Sequence, residues 1–239
     1  MGEGRTTEGA SCPLGFVLSM EGADPIVGPD SLGFWVEQGL RIVSLAHYGP
    51  SRYAHGTKSV GGLFPMGREL LAEMATQGVA LDITHLSDDS FAEAIDLFDG
   101  PVLATHSNCR ALVPGDRQLT DDMIRQLVAR DAVIGAALDA WMLQPGWVIG
   151  ETTPELVSME TFVDHIDHVC QLAGNARHAA IGTDLDGGYG TEQTPRDLDT
   201  IADLRVVPEL LATRGYVDAD IELVMHGNWE RWLRGVLPE

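Results

Sequence analysis

The chain has 239 residues, with 36 acidic and 15 basic side chains, a net charge of −21 and a hydrophobic content of 44%. This length and composition are typical of one large folded domain, and they exclude an intrinsically disordered chain. Because a strongly negative surface repels phosphate groups and anionic lipids, we expect neither nucleic acid nor a membrane surface as a partner. We treat residues 1–239 as one domain and expect residues 1–15 to be irregular or disordered.

The cysteine pattern and the hydropathy bear on where the protein works. Three cysteines with no CxxC pair are typical of a reducing compartment. The sequence has no apolar run near the ~20 residues that a membrane span requires, and no apolar segment near Met1 of the kind found in signal peptides. We therefore expect a cytoplasmic protein, with a lost N-terminal signal as the alternative.

Short, almost continuously apolar runs recur along the chain and are typical of strands covered on both faces of a parallel sheet. Six such runs are present: Phe16–Ser19, Arg41–Ala46, Val79–Thr84, Pro101–Thr105, Ala132–Ala137 and Ala179–Gly182. Helical patterns between or after them predict Met66–Gln77, Asp88–Phe98, Asp121–Ala129, Met159–Ala173, Pro208–Arg214, Ala219–Met225 and Asn228–Gly235. The alternation predicts an α/β fold with a parallel sheet.

Residues able to do chemistry fall repeatedly at the carboxyl ends of the predicted strands. They are Glu21, His47, His85, His106, Asp184 and Asp186. In a parallel barrel these ends form one rim, where active sites lie. Any one of these residues is more often a loop or surface residue, but their repetition at five of six strands favours a shared site.

Imidazole and carboxylate groups together suit Zn²⁺, and a site with two histidines, one glutamate and an open position is typical of catalytic zinc. Such an ion lowers the pKa of its bound water, while a neighbouring aspartate that does not bind the ion can transfer protons. The residues therefore predict a metal-assisted hydrolase without naming its substrate.

Longer motifs make the resemblance specific. They are SMEGAD (19–24), LAHYGPSRYAHGT (45–57), GVALDITHLS (78–87), PVLATHSNCRALVPGDRQLTDD (101–122), DHIDHVCQLAG (164–174) and IGTDLDGG (181–188). In this order, over nine tenths of the chain, the sequence resembles the renal or membrane dipeptidase family of metallopeptidases. The resemblance implies a (β/α)8 TIM-type barrel, two bridged zinc ions, hydrolysis of dipeptides and a possible homodimer.

The resemblance also implies a role for each matched residue. Glu21 corresponds to the carboxylate that bridges the zinc ions, and His85 and His106 to the imidazole ligands of the second ion. His47 corresponds to a histidine that contacts the substrate and stabilises the oxyanion.

Two further residues complete the implied site. Arg117 corresponds to the arginine that holds the terminal carboxylate of the substrate, a task that suits its bidentate guanidinium. Asp184 corresponds to the substrate-contacting aspartate that transfers a proton from the attacking water to the leaving amine. We expect Asp186 to support the site from behind.

One departure from the family pattern is important. Family members begin with a strand that ends in His-x-Asp, whereas no such pair precedes Glu21. We expect a barrel without its first strand–helix unit, sheet edges with unpaired backbone groups, at most one tightly bound zinc and little dipeptidase activity from the chain as it stands. The alternatives are a one-metal amidohydrolase acting on another small amide or lactone, and a metal-binding remnant without turnover.

Several other residues invite a functional interpretation. His165 and His168, with Asp164 and Asp167, share one face of a predicted helix, which we interpret as a solvated face and, as an alternative, as a metal site. His55 is interpreted as a loop residue. Cys109 lacks any visible activating base, so a thiol nucleophile is not favoured.

Overall fold

The structure is a computed structural model that describes residues 15–185 and 187–237. Its six strands are β1 (Leu18–Glu21), β2 (Leu40–Ser44), β3 (Ala80–Asp82), β4 (Val102–Leu103), β5 (Ile134–Ala136) and β6 (Ala179–Ile181). Its α-helices are α1 (Leu32–Glu37), α2 (Pro65–Gln77), α3 (Asp88–Leu97), α4 (Asp121–Ala129), α5 (Met159–Ala173), α6 (Val207–Thr213), α7 (Asp218–Glu222) and α8 (Asn228–Val236). The predicted α/β fold with parallel strands is confirmed.

All the described strand pairings within the sheet are parallel and follow chain order. Strands β1 to β4 form one sheet, and β5 pairs with β6. Ala104, directly after β4, continues the order through a parallel bridge to Ile134 of β5. The six strands of the described residues therefore form one continuous series, whereas a complete barrel has eight.

The sheet curves so that its first and last strands face each other. A cavity of ≈ 360 Å³ is lined both by Ser19, Met20 and Glu21 at the end of β1 and by Gly182 and Asp184 beyond β6. Residues at opposite ends of a flat six-stranded sheet could not share one cavity of this size, because neighbouring strands lie about 4.8 Å apart. The described strands thus follow the curvature of a barrel.

Helix α8 covers the edge of β6 that faces away from β5. Asn228 Nδ2 donates a hydrogen bond to the Ala179 carbonyl at 2.8 Å, and Trp229 Nε1 donates to the Ile181 carbonyl at 2.9 Å. Trp232 of the same helix is buried. The sequence predicts unpaired backbone groups at the sheet edges, but along this edge two carbonyls accept hydrogen bonds from side chains, as buried polar groups require.

The local sequence explains most of the helix boundaries. Pro65 opens α2 at a position where its missing N–H costs nothing, and Gly78 ends the same helix at φ 68°. The side chains of Ser87 and Thr120 cap α3 and α4 by accepting hydrogen bonds from Ser90 N and Met123 N. The described helices include none with the length and apolarity needed to cross a bilayer.

The pattern-based predictions failed at two places. They missed α1, because its six residues are too few to show a helical period. They placed a helix at Ala219–Met225, whereas α7 ends at Glu222 and a π-helical turn, Leu223–Gly227, leads into α8. The prediction that residues 1–15 are irregular or disordered concerns residues outside those described, apart from Gly15.

Candidate metal centre

A common spacing places the candidate side chains at the carboxyl edge of the sheet. Glu21 is the last residue of β1. His47, His85, His106 and Asp184 each lie three residues beyond the last residue of β2, β3, β4 and β6. Since parallel strands end at one edge, this repeated offset brings residues far apart in sequence to the same rim.

Glu21, His85 and His106 form the centre of the group. Glu21 Oε1 lies 3.1 Å from His85 Nε2 and 3.0 Å from His106 Nε2, and the three ligand atoms lie within 4.8 Å of one another. His106 Nε2 is buried and has no hydrogen-bond partner of acceptable geometry among the described residues. A buried polar atom without a hydrogen bond is costly, so this arrangement indicates a missing partner.

Two threonines define which imidazole nitrogens face that centre. Thr105 Oγ1 donates its hydroxyl hydrogen to Asp82 Oδ2 at 2.5 Å, so its 2.8 Å contact with His106 Nδ1 requires the ring to donate. Thr57 Oγ1 lies 3.0 Å from His85 Nδ1 and 3.3 Å from the His85 carbonyl, and when its hydroxyl donates to the carbonyl, the ring donates from Nδ1. With the hydrogen of each ring on Nδ1, both Nε2 atoms present lone pairs to the centre.

The charge states agree with a cation site. Burial lowers the pKa of His85 to about 3, so that ring is neutral near pH 7. The Glu21 carboxyl is ionised near pH 7, because the ordinary pKa of a glutamate is about 4.3. Two lone pairs and one carboxylate converge with no hydrogen between them, and a cation bound to all three would remove the repulsion.

His47 and Asp184 flank this centre at longer distances. His47 Nε2 lies 3.9 Å from Glu21 Oε1, and its side chain is about half exposed. Asp184 Oδ2 lies 3.9 Å from His106 Nε2. Both side chains are thus close enough to contact a molecule held at the centre, without being part of the three-ligand group.

The backbone is strained at two of these positions. His85 has φ 70° and Asp184 has φ 57°, in the left-handed region that residues other than glycine seldom adopt. Strain of this kind costs about 1–3 kcal/mol and concentrates at functional sites, where the surrounding structure holds it in place. The two positive φ values are therefore consistent with selection for side-chain placement.

Arg117 is anchored beside the centre, although it lies in the loop between β4 and α4. Its Nη2 donates to the His106 carbonyl at 2.7 Å and its Nη1 to Ser107 Oγ at 3.3 Å. The side chain is buried, and desolvation lowers the pKa of its guanidinium, which still carries a positive charge near pH 7. It is a cation in a site otherwise rich in carboxylates.

The other candidate groups are placed elsewhere. Asp186 lies outside the described residues. The interpretation of the 164–168 segment as a solvated face is wrong for His165, which is buried and whose Nδ1 accepts a hydrogen bond from Cys109 N at 3.0 Å. His168 Nε2 contacts Asp121 Oδ1 at 2.8 Å, and no metal-binding group forms there among the described residues. Burial raises the pKa of Cys109 far above its usual range, so its thiol is not activated.

Sequence reasoning missed three residues of the rim. Asp139 follows β5 by the same three-residue offset as the other rim residues, and that spacing was a usable signal. Thr57 contacts His85, and the ring of Tyr48 lies 4.8 Å from that of His47 and 5.1 Å from that of His85. Both lie in the irregular loop after β2, where no periodicity reports on contacts.

The sequence profile of the membrane dipeptidase family (peptidase family M19) matches residues 6–237. Dipeptidase tcpJ of Claviceps purpurea is 30% identical over 205 residues, covering 83% of this chain and 45% of that protein. Dipeptidase 3 of Mus musculus is 25% identical over 182 residues, covering 76% and 34%. The chain thus spans about half the length, or less, of these curated relatives.

Solved structures give the same assignment. A metallopeptidase from Rhodobacter sphaeroides, solved with a phosphinate mimic of the dipeptide L-Ala-D-Ala, is 27% identical with a TM-score of 0.82, covering 92% of this chain and 63% of that one. The probable dipeptidase PvdM from Pseudomonas aeruginosa, 23% identical with a TM-score of 0.81 and coverages of 90% and 68%, supports the fold alone. The match of the family profile over residues 6–237 shows that the chain belongs to the membrane dipeptidase family.

Proposed function

We propose that this protein hydrolyses dipeptides with the help of a bound metal ion. The observation that carries the proposal is the convergence of three electron-pair donors, Glu21 Oε1, His85 Nε2 and His106 Nε2, within 4.8 Å of one another. Membership of a dipeptidase family supports the reaction class. The dipeptide mimic bound by the Rhodobacter sphaeroides relative supports the substrate class.

We propose zinc as the metal and one ion as the tightly held number. Two imidazoles and a carboxylate are a familiar ligand set for catalytic Zn²⁺, with a fourth position open. Within residues 15–185 and 187–237, Glu21, His85 and His106 are the one group of this kind. When bound, the ion would lower the pKa of water and polarise the scissile carbonyl.

The chain's own residues would perform the remaining steps. The Arg117 guanidinium would bind the terminal carboxylate of the dipeptide and fix its orientation. The Asp184 carboxylate would take a proton from the attacking water and deliver it to the leaving amine. His47, 3.9 Å from Glu21, would donate a hydrogen bond to the oxygen that becomes negatively charged.

Zinc-dependent hydrolysis of a dipeptide is the direct test. Purified chain, stripped of metal and then titrated with zinc, is expected to hydrolyse L-Ala-D-Ala or L-Ala-L-Ala slowly, with activity that saturates near one ion per chain and is lost on adding a chelator. Amine release detected by ninhydrin or mass spectrometry provides the measurement. Equal rates with and without zinc would contradict the proposal.

A second candidate is a metal-binding protein that acts on another small amide or lactone, or on none. The described residues contain one group of three metal ligands, on a sheet of six strands. Because this group would hold a single ion, it favours a protein that works with one metal. One tightly bound zinc, with hydrolysis of N-acyl amino acids but not of dipeptides, would identify the protein as a one-metal amidohydrolase. One zinc without any turnover would identify it as a metal-binding protein without catalytic activity. The possible homodimer stays a prediction for light scattering to test.

Removing the hydroxyl of Thr57 should weaken metal binding although it touches no metal. In Thr57→Val the His85 Nδ1 loses its partner at 3.0 Å, so the ring is no longer fixed in the tautomer that presents Nε2. Loss of such a supporting hydrogen bond typically lowers metal affinity about 10–100-fold. Competition with a zinc indicator measures the change. Thr76→Val is the control, because the exposed Thr76 side chain donates its hydrogen bond to the Ala72 carbonyl of the same helix. Equal affinities in both variants would contradict the role of Thr57.

A further inference from the structure

Asp139 occupies a place at the rim equivalent to that of Asp184. Ala136 and Ile181 are the last register partners of β5 and β6, and the two aspartates each lie three residues beyond them. A hydrogen bond from Leu138 N to the Thr183 carbonyl at 3.1 Å joins the two segments just before these residues. Asp139 is therefore beside Asp184, at the edge where the metal centre lies.

The hydrogen bonds to the Asp139 carboxylate come from two residues, Gln193 and Trp141. Oδ1 accepts a hydrogen bond from Gln193 Nε2 at 2.7 Å and one from Trp141 N at 3.4 Å. A hydrogen bond from the Trp141 side chain also lowers the pKa of Asp139. The described residues form no salt bridge with Asp139, although its side chain is largely buried. The carboxylate is thus buried without a salt-bridge partner among the described residues.

The charges around Asp139 favour a cationic ligand. Burial raises the pKa of Asp139 to about 6, and the charge of Asp184 adds to the effect. Burial raises the pKa of Tyr48, and among the charged neighbours Arg117 lowers it while Asp139 and Asp184 raise it, so all three lie within electrostatic reach of Tyr48. Carboxylates outnumber cations among them, and a positive group on the ligand would lower the cost of keeping Asp139 ionised.

We infer that Asp139 is a specificity-determining residue whose carboxylate binds a cationic group of the substrate. The inference rests on the proposed dipeptide hydrolysis and adds to it the recognition of the end opposite the carboxylate. A zwitterionic dipeptide has one obligatory cation, its α-ammonium, and a basic side chain is the other possible source. Arg117 and Asp139 would then receive opposite charges of one ligand.

A purely structural role for Asp139 gives a different expectation. If Asp139 acts only by tying Gln193 and Trp141 together, then its amide equivalent should serve almost as well, because an asparagine oxygen still accepts both hydrogen bonds. Asp139→Asn therefore removes the charge and leaves the tether. Asp122→Asn, at an exposed position of α4, is the matched control for losing one negative charge from a strongly acidic protein.

The test is equilibrium binding of three non-hydrolysable probes to the zinc-loaded chain by calorimetry. The probes are the phosphinate mimic of Ala-Ala, its N-acetylated form, and the mimic with lysine at one position. In the unmodified chain and in Asp122→Asn, acetylation is expected to weaken binding about tenfold or more, because a hydrogen bond to a charged group is lost. In Asp139→Asn the free and acetylated probes should bind alike.

Each other outcome is informative. Selective loss of the tighter binding of the lysine probe in Asp139→Asn would assign the cation to a side chain and still support the inference. The inference is overturned if Asp139→Asn leaves all three affinities unchanged or weakens all three equally, while the unmodified chain still binds the mimics and hydrolyses dipeptides. Absence of both binding and hydrolysis in the unmodified chain would overturn the proposed function as well. If Asp139→Asn fails to fold, equal affinities of the unmodified chain for all three probes would by themselves contradict the inference.

Discussion

Replacement of His106 by alanine is expected to reduce the zinc content of the purified chain from about one ion to none. The change removes one of the three protein ligands proposed for the ion, and the two that would remain, Glu21 and His85, form an incomplete set for a tightly bound Zn²⁺. Elemental analysis after gel filtration, with a chelating indicator to determine affinity, measures the loss. The dipeptide hydrolysis that depends on zinc should disappear with it.

The matched control is His226→Ala. His226 is an exposed histidine near the C-terminus whose contact is with Glu230 at 3.6 Å, far along the chain from the rim residues. Its replacement also removes one imidazole, so it corrects for nonspecific zinc binding. If His106→Ala kept a full equivalent of zinc, or if the control lost as much, the assignment of Glu21, His85 and His106 as the metal centre would be wrong. Two stoichiometric ions in the unmodified chain would contradict the one-metal expectation.

Much of the candidate site was predictable because strand periodicity and strand ends are local properties. A buried run such as that before His85 or His106 indicates a strand by its composition alone, and the polar residue that follows indicates where the strand leaves the core. The parallel order then places those ends at one rim without any knowledge of side-chain contacts. For this reason Glu21, His85 and His106 could be placed together from the sequence.

The remainder depended on contacts that no local pattern records. Thr57 reaches His85 through a loop held by hydrogen bonds such as that from Gly56 N to the Gly49 carbonyl at 2.9 Å. His165 lies in a helix whose polar residues resemble a solvated face, yet it is buried where α5 meets the loop that carries Cys109. In both cases the burial is decided by a segment distant in sequence, so the helical or loop composition could not indicate it.

Substitution of Asp184 is expected to lower mainly kcat, whereas substitution of Arg117 is expected to raise mainly KM. Asp184→Asn keeps the size of the side chain but removes its capacity to accept and return a proton. General acid–base catalysis typically contributes about 10²–10⁴-fold to the rate, so kcat should fall by about that factor, while zinc content stays at the level of the unmodified chain. The distance of 3.9 Å between Asp184 Oδ2 and His106 Nε2 is consistent with a residue beside the metal centre rather than a ligand.

Arg117→Lys is expected to change substrate binding more than the rate of the chemical step, in contrast to Asp184→Asn. Lysine keeps the positive charge but cannot form the bidentate fork, nor hold both Ser107 Oγ and the His106 carbonyl as the two guanidinium nitrogens do at 3.3 and 2.7 Å. We therefore expect a rise in KM of about tenfold or more for dipeptides with a free carboxylate, little change for C-terminally amidated peptides, and a smaller effect on kcat than in Asp184→Asn. Steady-state kinetics on the free and amidated forms of one dipeptide provide the measurement.

A fall in kcat of equal size in both variants would indicate that Arg117 acts by positioning His106 and not by recognising the substrate. An unchanged kcat in Asp184→Asn would assign the proton transfer to another group at the rim.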